Sequence, residues 1–150
     1  MDWFRTIALG QVSTSALEAR KLGYLNAKDK ITLQIKDRIS LARDRVIELA
    51  DSYVAPAVRQ DVRVLGRSGL GTIELGINEL RVGRYASEHD VKIAKKIAYV
   101  MCGGDLSEPQ EVSEDYLLEL EREAFLSLCT EQKTLERIQH MLETGKPLRN

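Results

Sequence analysis

Apolar residues recur at helical intervals along most of the chain, most clearly between Val112 and Asn150. On a wheel of about 100° per residue, Leu117, Leu118, Leu120, Ala124, Phe125 and Leu128 fall in one broad stripe. Ser113 is placed to cap this helix, with Glu114 and Asp115 near the positive end of its dipole and Val112 and Leu117 spaced as a hydrophobic staple. Glu121 falls near the middle of the stripe. An unpaired charge removed from water is costly, so this carboxylate is expected to be one half of a buried structural ion pair with a neighbouring Arg or Lys, or else a functional group. A second helix follows, with Thr130 as its expected cap and Leu135, Ile138, Met141 and Leu142 as its apolar face. Gly145 and then Pro147 stop it.

The same pattern divides the rest of the chain. Asp2 to Leu9 reads as a helix with Trp3, Phe4, Ile7 and Ala8 apolar, closed by Gly10. Two large rings at such a start call for a cover, so oligomer contacts or further upstream chain are expected. Ser15-Ala16-Leu17-Glu18 has the form of a capping box and opens a short helix packed through Ala16, Ala19 and Leu22, ending at Gly23. Ile31, Leu33 and Ile35 alternate with polar residues, which predicts one short edge strand or extended segment. From Lys36 to Tyr53 helical spacing returns, with Ile39, Ala42, Val46, Leu49, Ala50 and Tyr53 inward and a mixed-charge face outward.

Pro56 ends that helix, and Ala55 to Gly71 reads as a connector. Gly69 and Gly71 form a G-x-G, but Glu74 stands where a dinucleotide loop needs its last glycine, so no cofactor is assigned to them. Thr72 to Arg84 predicts a helix of imperfect period, interrupted by Gly76 and Gly83, whose missing side chains would let another helix approach. Ser87 caps the next, with Val91, Ala94, Ile97, Ala98 and Met101 buried and Gly103-Gly104 as its end. The expectation is an all-α chain of five or six amphipathic helices. It divides into N-terminal helices over 1–54, a connector over 55–71 and a C-terminal bundle with a basic tail over 72–150.

Length and charge narrow the function. The 150 residues suit one domain, and 22 basic against 23 acidic side chains leave no positive excess for nucleic-acid binding. No apolar run approaches membrane-spanning length, and Asp2 and Arg5 interrupt the start where a signal peptide would be apolar. A soluble, cytoplasmic protein is expected. Cys102 and Cys129 have no metal-type spacing and read as buried reduced thiols, and His89 and His140 cannot form a metal site by themselves. His89, in Ser87 to Asp90, is read first as part of a helix cap and only second as a catalytic candidate.

Several runs resemble one family. LEREAF at Leu120 to Phe125, FLSLC at Phe125 to Cys129, KTLERIQHML at Lys133 to Leu142 and the closing GKPLRN are similar to the C-terminus of bacterial fatty-acid β-oxidation enzymes. Those enzymes fuse a 3-hydroxyacyl-CoA dehydrogenase to a crotonase-type enoyl-CoA hydratase/isomerase domain. SALEARKLGYL from Ser15 to Leu25, SEHD at Ser87 to Asp90 and the GGD run at Cys102 to Asp105 resemble the same proteins. The resemblance implies the C-terminal helical region of such an enzyme, which would pack, oligomerise and help cover acyl-CoA. The NAD loop, the catalytic acids and the oxyanion hole would lie upstream, and NAD and a CoA thioester would belong to the parent enzyme. No catalytic residue, cofactor or metal is therefore assigned to this chain. Lys146 and Arg149 come near the position where basic side chains of that fold approach CoA phosphates. The expected partners are the upstream dehydrogenase/crotonase region and a second copy of the chain. The competing expectation is a free-standing helical interaction module without enzymatic activity.

Overall fold

A computed structural model of the chain describes residues 2–150. Among them lie seven helices and one two-stranded ladder: α1 (Asp2–Ala8), α2 (Ala16–Lys21), α3 (Arg38–Ala50), β1 (Val62–Val64), α4 (Gly66–Val82), α5 (Glu88–Met101), β2 (Gln110–Val112), α6 (Glu114–Cys129) and α7 (Gln132–Thr144). The all-α expectation holds, with α1 to α7 in place of five or six helices. The chain forms two compact units, one of Gln11–Ala57 and the other of α1 through Gly10 together with Val58–Asn150. This differs from the expected grouping of residues 1–54, because α1 packs on α5.

In the larger unit α5 is the central element, packed by α1, α4 and α6, while α6 in turn carries α7. The core consists of Phe4, Ile73, Ile77, Val91, Ala98 and Cys102, with Ala94, Ile97 and Met101 partly buried beside it. Phe4 therefore finds its cover within the chain, whereas Trp3 stays half exposed. Ser87 begins α5 with a complete capping box: its hydroxyl accepts from the Asp90 amide, and Asp90 accepts from the Ser87 amide.

The connector expected over 55–71 contains β1 and the first turns of α4. β1 pairs antiparallel with β2, Val62 opposite Val112 and Val64 opposite Gln110. Helix α4 starts at Gly66, six residues before the expected Thr72, and carries Gly69 and Gly71 in its first turns. Poor intrinsic propensity hid this start. It is compensated by packing of Leu70, Ile73 and Ile77 on the core and by Gly66 N–H donating to the Cys102 carbonyl at 3.0 Å. Gly66 has φ +60°, and a Cβ there would lie 2.8 Å from the backbone oxygens of Leu106 and Glu108. Gly83 accommodates the ring of Tyr85 and not another helix.

Helix α6 begins as expected, with the Ser113 hydroxyl accepting from the Tyr116 amide. Thr130 ends it and does not cap the next helix: its hydroxyl donates to the Ser127 carbonyl, and Glu131 is the N-cap of α7. Gly145 closes α7 in the left-handed conformation, φ 68°, with its N–H on the Met141 carbonyl. The expected apolar face of α7 is largely exposed, Leu142 at 82%, and the helix instead buries Thr134.

The smaller unit holds α2 and α3. Ser15 caps α2 by accepting from the Glu18 amide, but Glu18 turns to the amide and hydroxyl of Thr14, so the box is only half formed. Those bonds hold the Glu18 carboxyl below the usual glutamate range. Helix α3 has its predicted position, yet it buries none of its residues, and Ile39 and Val46 are exposed. Ile31, Leu33 and Ile35 form no strand and are exposed. Their alternation meets no second strand, since the ladder of the described residues is made by β1 and β2.

Candidate functional site

Two of the hollows on the larger unit, and one polar node, involve the residues singled out in the sequence. The node joins α5, α7 and the tail. Arg137 Nη1 donates to Asp90 Oδ1 at 2.7 Å, and Arg137 Nε donates to Asn150 Oδ1 at 2.8 Å. Asn150 Nδ2 donates onward to Glu136 Oε2 at 2.7 Å. One residue away, His89 is 4% exposed and its Nε2 lies 3.0 Å from Thr134 Oγ1.

The surroundings shift the titration of both His89 and Asp90. Burial pushes the His89 imidazole below its ordinary value, and the positive charge of Arg137 pushes it further in the same direction. The ring shares a hydrogen bond with a threonine and lines neither hollow. For Asp90, burial works upward but is outweighed by the Ser87 amide and the Arg137 guanidinium, which hold the carboxyl below the usual aspartate range. Burial raises the Cys102 thiol, the opposite of what a nucleophile needs. Cys102 is buried and free, as expected; Cys129 is free but only half-buried.

The first hollow, about 300 Å³, lies beside this node, with Ala8, Tyr85, Ile93, Met141 and Leu148 as walls and Asp90, Arg137 and Arg149 at its polar edge. The structure thus separates the two tail residues singled out in the sequence. Arg149 borders the hollow, whereas Lys146 is exposed just past the helix stop, its amide donating to Thr144 Oγ1.

The second hollow is an apolar groove of about 340 Å³ between α1, α5 and α6, walled by Ile7, Ile97, Val100, Phe125 and Leu128, with Lys96 and Glu121 also lining it. Glu121, expected as a buried carboxylate, is exposed. Its position in the α6 stripe is as the wheel gives it. The stripe is uncovered at that point, with Leu118 53% and Phe125 55% exposed, so the charge keeps its water.

The remaining candidates disperse. Gly69 and Gly71 belong to a helix and form no loop that could wrap a phosphate. Among the described residues no group of three or more His, Cys, Asp or Glu side chains is placed to hold a metal ion. None of their helices is long and apolar enough to cross a membrane. Sequence reasoning missed Arg137, Asn150 and Lys96. The first two are joined to Asp90 only by tertiary structure, but Lys96 was within reach of the argument that found Glu121, since it interrupts the Ile93, Ile97, Val100 stripe of α5 in the same way.

The described residues thus define a helical protein with an apolar groove and a partly buried polar clasp. Over all 150 residues the chain is 46% identical to a probable 3-hydroxyacyl-CoA dehydrogenase of Bacillus subtilis (strain 168). It spans 19% of that relative's length. No protein-family model matches the chain, and no solved structure matches it significantly.

Proposed function

We propose that this chain is a non-catalytic helical region of a 3-hydroxyacyl-CoA dehydrogenase-type enzyme of fatty-acid β-oxidation. It supplies packing surface and part of the cover over acyl-CoA. The observation that carries the reading is the 46% identity maintained over all 150 residues, a span that includes the core, the clasp and the tail. The runs LEREAF and GKPLRN support the finer version, in which the parent also carries a crotonase-type hydratase domain and acts in the cytoplasm. In that setting NAD and the CoA thioester bind to the parent's other regions. Lys146 and Arg149 are available to CoA phosphates, since both are exposed and neither belongs to an ion pair of the described residues.

Chemistry supports the non-catalytic part. Acyl-thioester reactions need donors converging on a developing oxyanion and a titratable group within reach of the substrate. The buried imidazole of this chain is occupied by Thr134, and the partly buried carboxylate beside it by Arg137. The test is a graft. Replacing the matching 19% of the Bacillus subtilis protein with this chain should preserve NAD-dependent oxidation of a 3-hydroxyacyl-CoA, while deleting that region should abolish it. The isolated chain should turn over neither a 3-hydroxyacyl-CoA nor an enoyl-CoA. An inactive but folded graft, or turnover by the chain alone, would refute the proposal.

A further inference from the structure

Helix α7 buries only Thr134, and its apolar residues Leu135, Ile138, Met141 and Leu142 are exposed. Side-chain bonds tie it to α5 instead. The α7 cap Glu131 accepts from Lys92 Nζ at 2.7 Å, Thr134 Oγ1 meets His89 Nε2 at 3.0 Å, and Arg137 Nη1 donates to Asp90 Oδ1 at 2.7 Å. Glu131, Thr134 and Arg137 follow one another at every third position, so they share a face of α7, against His89, Asp90 and Lys92 in the first turns of α5. Arg137 also carries the tail through Asn150. Met141 of α7 and Leu148 of the tail wall one side of the hollow beside the clasp, and Ala8 and Ile93 wall another.

We propose that α7 and the tail form a strap over this hollow that comes away from α5 in mild acid, triggered by protonation of His89, while α1, α4, α5 and α6 stay folded. Apolar contacts do not titrate, so a helix held by them alone would feel no such trigger. A seam of polar bonds with little apolar burial can open locally, ahead of the core. His89 sits within that seam, and its side chain is the type that changes charge near neutrality. The charges acting on its ring are Arg137 and Lys133 of α7 and Lys92 of α5, all cationic, against Glu131, which Lys92 already engages. Asp90, next in the chain, is engaged by Arg137. Burial and these cations disfavour a proton on the docked ring, whereas a released ring takes one in water at its ordinary value of 6.5. Each pH unit below that value therefore favours release by up to about tenfold. The inference concerns a movement of the fold; it goes beyond the enzymatic reading and does not depend on it.

Hydrogen exchange of the full chain, corrected for the intrinsic effect of pH on amide exchange, tests this at about pH 7.5 and about pH 5.5. Protection of the amides over Gln132–Thr144 should fall about fivefold to tenfold at the lower pH, while the amides of α5 keep theirs. The fluorescence of the apolar dye ANS should rise over the same step, as the hollow loses Met141 and Leu148 from its wall. In His89→Gln both responses should disappear. Thr134→Val, which removes the hydroxyl that the ring meets, should lower α7 protection about fivefold already at neutral pH, and it keeps the test open if His89→Gln fails to fold. Loss of protection in α7 and α5 together would show that the whole unit unfolds and would overturn the proposal. Protection of α7 that ignores pH, a loss that persists in His89→Gln, unchanged dye fluorescence, or full protection of α7 in Thr134→Val would overturn it equally.

Discussion

Arg137 of α7 reaches Asp90 of α5 with a 2.7 Å hydrogen bond while both side chains are mostly buried, at 17% and 24% exposure. The carboxylate it meets is already committed to the capping box of α5, so one acid fastens a helix start and a distant helix together. Arg137→Met leaves Asp90 in partly buried surroundings without its cation. We expect a loss of about 2 kcal/mol, below the range for fully buried pairs because some water remains. Urea denaturation measures it. Adding Asp90→Asn should then cost less than the two changes summed, because the pair acts as a unit.

His89 makes stability depend on pH. Its imidazole is held below the ordinary value of 6.5 by burial and by Arg137, so the unfolded chain takes up a proton first as the pH drops. The stabilisation is complete above that ordinary value and is lost as the pH falls through and below it. Asp90, also held low, adds a loss of the same sign in the more acidic range, below its ordinary 3.8. The urea midpoint should therefore decline between about pH 7.5 and about pH 5. In His89→Gln the decline over that window should flatten, and a slope equal to the parent's would assign it to other groups.

Two glycines of α4 should respond in opposite directions to alanine. At Gly66 the backbone is left-handed and a Cβ would press on two backbone oxygens at 2.8 Å, so Gly66→Ala should destabilise by about 2 kcal/mol or more. Gly71 is helical and exposed, with open space where the Cβ would stand. Gly71→Ala should stabilise by about 0.5–1 kcal/mol. Thermal unfolding of the pair distinguishes steric closure from helix propensity.

Arg84 is the one non-glycine among the described residues with positive φ, 58°, in the turn that ends α4. Its side chain is exposed and outside the ion pairs of those residues. Relief of the left-handed strain should let Arg84→Gly gain about 0.5–1 kcal/mol, read as a higher Tm. A lower Tm would mean that the arginine makes up for its backbone.

Periodicity located α5, α6 and α7 because their caps are local: Ser87, Ser113 and Gly145 each act within a few residues of their own helix end. It could not reveal which stripes are covered, and this explains the errors of burial, those on α3 included. Glu121 and Leu142 lie on apolar faces that sequence alone treats as interior, but both are exposed. The early start of α4 was obscured by Gly66, Gly69 and Gly71, and it is held by the Gly66 and Arg67 amides donating to the carbonyls of Cys102 and Leu106, bonds made only in the tertiary structure. Three-residue strands such as β1 and β2 are too short for alternation to register, whereas Ile31 to Ile35 alternates without a mate. At the node, Asp90 was legible as a cap, but its link to Arg137 and Asn150 exists only once α7 folds back.

The ladder between β1 and β2 brackets α4 and α5, so it works as a drawstring around them. The two helices can dock early through residues near in sequence, while the strands must wait for remote ends to meet. A protease cut in the turn after Gly83 would then yield two pieces still tied at their far ends. Both pieces should co-elute in native gel filtration and separate only in denaturant; early separation would show the drawstring to be slack.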